Sequence, residues 1–288
     1  MARAARSSGL SAMSMSRPER SGPPIGVRWT IGDVSAYGFE ALRLSIHGAW
    51  RLFGPDAAYA VCVNSIAVER AREAVGDVPV PVTWRDVTGE VPDFLRPHLD
   101  AGMAEGVGWK LAPPRIFPDR YELALDNDCI LWSLPDVLRA WLEAAEPDRC
   151  IIAEDTEAHF GEFTRYCGPE PRNAGIRGLP PGYDFEAVVR TLLAENPARL
   201  AGEVDEQGLQ VAALGRFREA RVVPVDDVAI CSPFPQHRAE LGRCGAHFVG
   251  LNAHALPWDY YGRPAVECIR EHWLRHRPAL YERVGLRE

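Results

Sequence analysis

From Ile25 onward the chain is patterned, and the pattern alternates between helical and extended spacing. Leu42, Leu44, Ile46, Trp50 and Phe53 fall at helical spacing within 40–53, a run stopped by Gly54-Pro55. Residues 58–66 (AYAVCVNSI) form a continuous apolar run ending in Asn64-Ser65, as expected of a strand buried on both faces. A short helix over 67–75 and a second strand over 80–87 follow. Residues 88–118 contain Pro92, Pro97, Pro113, Pro114 and Pro118 and read as loop. Residues 121–132 (YELALDNDCILW) read as a strand interrupted by acid. Beyond it the pattern predicts a helix over 135–145, a strand over 150–153 and a Gly/Pro-rich loop over 173–183. Helices over 184–195 and 205–214, strands over 221–230 and 246–250, and a helix over 264–284 complete the chain. Strands alternating with helices predict an α/β fold with a mostly parallel sheet. No repeat or linker divides 25–288, which is expected to form one domain. Residues 1–24 are rich in Ser, Arg, Ala, Pro and Gly, without apolar periodicity, and are expected to be a disordered tail.

Composition narrows the classes of function. Of the 288 residues 47% are hydrophobic and 25% charged, and the formal net charge is −8. No apolar run approaches the roughly 20 residues of a membrane span. No secretory signal core is present either, so a cytoplasmic location is expected, with peripheral membrane contact left open. No Lys/Arg block outside the two ends offers nucleic acid a basic face. An acidic chain that binds an anionic substrate needs local cations or a metal. Seven cysteines, none in a C-x-x-C pair, favour neither a zinc ribbon nor a disulfide framework and read as small buried side chains. Among the 32 Lys and Arg residues, Lys110 is the one lysine, which hints at a position where a compact ammonium is preferred to a planar fork.

The sharpest chemical signal is Asp126-Asn127-Asp128, set between Leu123-Ala124-Leu125 and Cys129-Ile130-Leu131-Trp132. On an extended segment Asp126 and Asp128 would share one face. Two adjacent carboxylates repel, and burial would raise one pKa sharply. A hard cation such as Mg²⁺ or Mn²⁺ removes that conflict while keeping positions open for phosphate oxygens. Farther along come Asn173-Ala174-Gly175, then Asp205-Glu206-Gln207 at a helix start, then His247-Phe248-Val249-Gly250 with Pro257-Trp258.

Taken in order, these four segments resemble the GT-A nucleotide-sugar glycosyltransferases, specifically glycosyltransferase family 8, which carries D-x-D, N-x-G, an acid-Gln pair and H-x-x-G followed by Pro-Trp. The resemblance covers roughly residues 58–258. It implies that Asp126, Asp128 and His247 hold Mn²⁺ or Mg²⁺. Asn64, Asp126, Asn127, Asn173 and Gly250 would then contact a nucleotide-sugar donor, a UDP-sugar by family precedent. Asp155, Glu206 and Gln207 would face the transferred sugar and an acceptor of unspecified chemistry, with retention of anomeric configuration. The family commonly places a diphosphate-binding lysine after H-x-x-G, where this chain has Asn252-Ala253-His254. The resemblance shifts that task to Lys110 and Arg115, so Lys110→Ala is expected to weaken donor binding with little effect on folding.

Two other functions fit part of the pattern. A sugar-phosphate nucleotidyltransferase would share the nucleotide-binding half but needs a Gly-rich, Arg-bearing loop after its first strand, where Asn64-Ser65-Ile66 stands. A non-catalytic nucleotide-sugar-binding domain would not need the acid pair and His247.

Overall fold

The computed structural model describes residues 24–78, 80–100, 108–144, 148–216 and 220–288. The tail expected over 1–24 lies, apart from Pro24, outside them. Strand β1 (Ile25–Ile31) alternates Ile25, Val27, Trp29 and Ile31 on one face with Arg28 and Thr30 on the other. It pairs in parallel with β2 (Ala58–Val63), and β2 pairs in parallel with β3 (Val82–Asp86). On its other side β1 pairs in parallel with β4 (Tyr121–Leu125). The three-residue strand β5 (Cys129–Leu131) belongs to a separate sheet. Beyond it lie β6 (Ile151–Glu154), β7 (Arg172–Leu179) and β8 (Arg221–Val223). β7 runs antiparallel to both β4 and β6, and β8 lies parallel to β6. The large sheet thus has the order β3-β2-β1-β4-β7-β6-β8. In the small sheet β10 (Gly245–Phe248) lies between β5, antiparallel, and β9 (Val228–Cys231), parallel. A hairpin of β11 (Asp259–Tyr260) and β12 (Arg263–Pro264) leads into the last helix.

Helix α1 (Ala36–Phe53) fills the angle between the two sheets. Leu42 and Ile46 join the core of the large sheet, while Ala41 and Leu44 join that of the small one. A Cβ at Gly48 would lie 2.1 Å from the Leu131 carbonyl oxygen, so only glycine lets the helix rest on β5. Ser35 caps α1 by accepting from the Gly38 amide at 3.2 Å and also donates to the Leu251 carbonyl at 2.7 Å. Helices α2 (Val68–Val75) and α3 (Asp136–Glu143) lie along the same chain half. Helices α4 (Phe185–Glu195) and α5 (Glu203–Gly215) bury Phe185, Leu192, Leu209 and Ala213 in a second core, and α6 (Ala265–Val284) closes the small sheet. Among the described residues no helix is long and apolar enough to cross a membrane.

Several elements differ from the sequence reading. The hydrophobic pattern assigns nothing to 25–31, yet β1 is central to the large sheet. Arg28 interrupts its apolar run and is nonetheless buried. The expected single strand over 121–132 is two strands in two sheets, and that over 221–230 is likewise two. The expected loop over 173–183 is mostly β7. Its glycines serve close approach rather than flexibility, since a Cβ at Gly178 would lie 2.7 Å from Ile151 Cβ.

Candidate active site

Asp126, Asn127 and Asp128 occupy the corner where the chain leaves β4 for β5. The Cys129 amide donates to the Asp126 carbonyl at 3.0 Å, closing a turn. This corrects the alternation argument: the turn, and not an extended backbone, brings the two acids together. Asn127 points into the protein instead, donating to the Gly38 carbonyl at 3.1 Å and to Asn252 Oδ1 at 2.7 Å. Asn252 Nδ2 donates back to Asn127 Oδ1 at 3.0 Å and to Asp128 Oδ2 at 3.1 Å. β10 delivers His247 opposite Cys129, one residue from the acids. His247 Nε2 lies 3.2 Å from Asp128 Oδ1 and 3.5 Å from Asp126 Oδ2. One ligand-capable atom from each of the three residues lies within 4.8 Å of the others.

The β6–β7 ladder breaks beside this cluster. Ile152 pairs with Arg177 but the next residue, Ala153, pairs with Asn173, so Ala174, Gly175 and Ile176 leave the ladder. They lean on β4 instead, where the Gly175 carbonyl accepts from the Asp126 amide at 2.9 Å. A Cβ on Gly175 would sit 2.4 Å from His247 Cε1. The imidazole therefore rests directly on the Gly175 backbone.

The charges form a connected string. Lys110 Nζ donates to Asp126 Oδ2 at 2.8 Å and lies 3.6 Å from Glu206 Oε2. Gln210 donates to the other Glu206 oxygen and accepts from Arg177 Nη1 at 2.6 Å. A cavity of about 20 Å³, room for about one water, lies among Arg28, Lys110, Asp126, Arg177 and Gln210. Burial alone would lower the Lys110 ammonium, but Asp126 and Glu206 outweigh it and hold it above the ordinary lysine range. Burial would raise the Asp126 carboxyl, yet Lys110 and His247 hold it well below the usual carboxylate range. Burial would likewise lower His247, but Asp128 and Asp126 push it up to about 10. In the protein alone the ring is thus an imidazolium balancing two carboxylates. Glu206 differs, because burial wins and pushes it up to about 7.

That last shift has a consequence for stability. A carboxyl raised from 4.5 to about 7 keeps its proton in the folded chain where the unfolded chain has lost it. Its contribution is present near pH 4.5 and falls away as the pH rises through 7. Glu206→Gln should flatten the dependence of folding free energy on pH across that window, a change of about a few kcal/mol at most. Parallel slopes for the variant and the wild type would contradict the assignment.

No family model matches the chain, and no curated protein matches it in sequence. Solved structures do. Mouse xyloside xylosyltransferase 1 superposes with a TM-score of 0.52 at 13% identity, covering 80% of this chain and 99% of that one. The WbbM bifunctional glycosyltransferase also gives 0.52, at 15% identity, with 93% of this chain covered and 53% of its own, so this chain spans about half its length. At these identities the likeness is one of fold. The chain has the GT-A fold.

In open α/β sheets ligands bind beyond the carboxyl ends of the strands, where the strand order reverses. Here that place lies between β1 and β4, and Asp126 stands at the carboxyl end of β4. The donor set suits Mn²⁺ or Mg²⁺: two carboxylates and one imidazole, with Asp128 Oδ1 buried and making no hydrogen bond. Other expected residues lie beside the cluster. Asn173 Nδ2 donates to Asp155 Oδ2 at 2.9 Å, and Gln207 ties the Ala174 amide to the His159 carbonyl, which places both beside the Gly175 corner. Asp126, Asp128, His247, Lys110, Asn173, Asp155 and Gln207 thus share one neighbourhood of the GT-A fold.

Five of the expected residues have structural partners of their own. Arg115 donates to the carbonyls of Pro180, Tyr183, Phe117 and Arg120 and so braces loops. Asn64 is fully buried and donates to the Ile31 carbonyl at 3.0 Å, tying the ends of β1 and β2. Asn127 is likewise turned inward, and its role is to fix the corner. Gly250 is explained by its turn (φ +82°) and by Ile269, which a Cβ would meet at 2.8 Å. Glu206 is 1% exposed and lies 3.6 Å from Lys110. Lys110 also does more than expected, since it separates Asp126 from Glu206. Lys110→Ala should cost about 1–3 kcal/mol of stability, below the ~3–5 of a fully buried pair because part of the side chain meets solvent. A denaturant midpoint equal to wild type would show that the pair is not coupled.

Sequence reasoning overlooks Asn252, which holds Asp128 and Asn127, and the buried pair Arg28 and Arg177 around Glu122. The signal for Asn252 is its place in the Gly-Leu-Asn turn directly after His247.

Proposed function

We propose that residues 25–288 form a metal-dependent, retaining glycosyltransferase that takes its sugar from a nucleoside-diphosphate donor, with a UDP-sugar as the first candidate. The supporting observation is the convergence of Asp126, Asp128 and His247 at the β4 corner of a GT-A fold, with a buried Asp128 oxygen left without a hydrogen bond. Asp126, Asp128 and His247 would hold Mn²⁺ or Mg²⁺. When bound there, the ion supplies Lewis acidity toward the departing diphosphate. Lys110 keeps Asp126 ionised and adds positive charge beside the diphosphate. Asn252 and the Asn127 amide pair fix the direction of Asp128.

Retention is what the family resemblance implies, and the carboxylates bear only on the route to it. Glu206 is bound by Lys110 and Gln210, and Asp155 accepts from the Thr156 amide and from Asn173. Neither is a free nucleophile. In the reading this favours, the acceptor oxygen bonds to the sugar C1 on the face from which the diphosphate leaves. The bond from C1 to the phosphate oxygen breaks, and the hydroxyl proton passes to that oxygen. Asp155 and Gln207 would orient the sugar and acceptor hydroxyls. All seven cysteines are free, which suits a reducing cytoplasm.

Incubating the protein with a panel of UDP-sugars, with and without Mn²⁺, tests this function. Mn²⁺-dependent release of UDP, with the product keeping the donor's anomeric configuration by NMR, is expected. UTP and sugar 1-phosphate formed from the UDP-sugar only when pyrophosphate is added would replace the proposal with a nucleotidyltransferase, and metal-independent binding without turnover would replace it with a binding domain.

A further inference from the structure

A second group of metal-ligating side chains lies away from the acid pair. Cys231 ends β9, and His272 and His276 sit four residues apart on one face of α6. All three are buried, and one ligand-capable atom from each lies within 4.8 Å of the others. Cys231 Sγ is 3.3 Å from His272 Nε2, and the two imidazole centroids are 4.7 Å apart. Phe248 flanks both rings at 6.1 and 6.2 Å.

We infer that Cys231, His272 and His276 form a second metal site, selective for zinc and separate from the oxygen-rich site at Asp126 and Asp128. One sulfur and two nitrogens are the soft donors of tetrahedral zinc, whereas Mn²⁺ and Mg²⁺ prefer oxygen. Ligand atoms about 3.3–3.7 Å apart are what Zn–S near 2.3 Å and Zn–N near 2.0 Å require of a tetrahedron, and the Cys231–His272 separation meets this. His276 has one nitrogen already engaged by the backbone. Its Nε2 lies 2.9 Å from the Ala239 carbonyl, which can only accept, so the proton is on Nε2 and the lone pair is on Nδ1. Metal-bound histidines characteristically donate their other nitrogen in this way. Binding replaces a proton and changes no oxidation state: the Cys231 S–H bond breaks, the proton leaves to solvent and sulfur bonds to zinc. Water or a carbonyl from the covering segment completes the fourth position. That segment (236–240) is mostly exposed, which gives the ion a way in.

Zinc there would fasten α6 to β9 and, through Ala239, hold the loop joining β9 to β10. The same loop places His237 Nδ1 2.8 Å from Ser232 Oγ. The site is therefore structural, and its loss should loosen the loop that precedes β10 and His247.

Titration of the full chain with Zn²⁺, and then with Co²⁺ as a visible substitute, tests the site. The expected result is one Zn²⁺ retained per chain and, with Co²⁺, a thiolate-to-cobalt charge-transfer band with strong tetrahedral absorption. Cys231→Ser should remove that band and weaken Zn²⁺ by more than the roughly 10–100-fold that loss of an outer partner costs. His276→Gln, which leaves all cysteines in place, should weaken Zn²⁺ and lose the tetrahedral absorption. The inference is overturned if wild-type protein shows no cobalt–thiolate band, if that band survives in Cys231→Ser, or if His276→Gln keeps wild-type Zn²⁺ affinity and tetrahedral absorption.

Discussion

Asp128→Asn is expected to abolish Mn²⁺-dependent release of UDP from the donor while leaving the fold in place. Asp128 brings a buried oxygen without a hydrogen bond to the point where Asp126 and His247 meet. An amide there keeps the volume and one acceptor oxygen for Asn252 but carries no charge to offer a cation. Lewis-acid stabilisation of a departing oxygen is worth several kcal/mol, so the rate should fall about 10³-fold or more. Melting of the metal-free variant should fall only modestly, because His247 loses Asp128 as a counter-ion but keeps Asp126 at 3.5 Å. The stabilisation that Mn²⁺ confers on the wild type should disappear. Wild-type turnover in this variant would remove Asp128 from the chemistry.

Gly175→Ala is the second large expected effect, and it acts through geometry alone. The added methyl would stand 2.4 Å from His247 Cε1, 2.5 Å from His247 Nδ1 and 2.8 Å from Asn173 Oδ1. Real Cβ atoms do not approach that closely, so the imidazole must move. Misplacement of about 1 Å is enough to cost on the order of 10²-fold in rate, and Mn²⁺ affinity should fall by a similar factor. The overpacking itself should cost about 1–3 kcal/mol of stability. Both substitutions would disable one ligand, so Gly175→Ala and His247→Ala should not add in the double variant. A Gly175→Ala protein that titrates with Mn²⁺ as wild type would show that His247 need not stand where it does.

The parts of this architecture legible in the sequence are those set by local pattern. Residues 58–63 and 68–75 read correctly because an unbroken apolar run and a short amphipathic run each decide one element. Asp126, Asp128 and His247 are legible as one constellation only through the ordered resemblance, since nothing local joins residues so far apart. Features set by tertiary context are not legible. β1 is hidden because Arg28 is buried against Glu122 rather than exposed, which breaks the apolar signature of a central strand. Residues 173–179 look like a loop because their glycines are there for close contact with His247, Trp141 and Ile151. Arg115 is expected beside a diphosphate because the lysine after H-x-x-G is missing, and its four carbonyl partners are visible only in the fold. Cys231, His272 and His276 carry no zinc-ribbon spacing, so their meeting depends on α6 docking against β9.

The most direct test of the central claim is a crystal of the full chain grown with Mn²⁺ and UDP, with anomalous data collected at the manganese edge. A peak within about 2.0–2.3 Å of Asp126, Asp128 and the His247 ring, bridged to both phosphates, is the expected result. A manganese peak elsewhere, or UDP bound with His247 still paired to the two carboxylates and no metal between them, would contradict it.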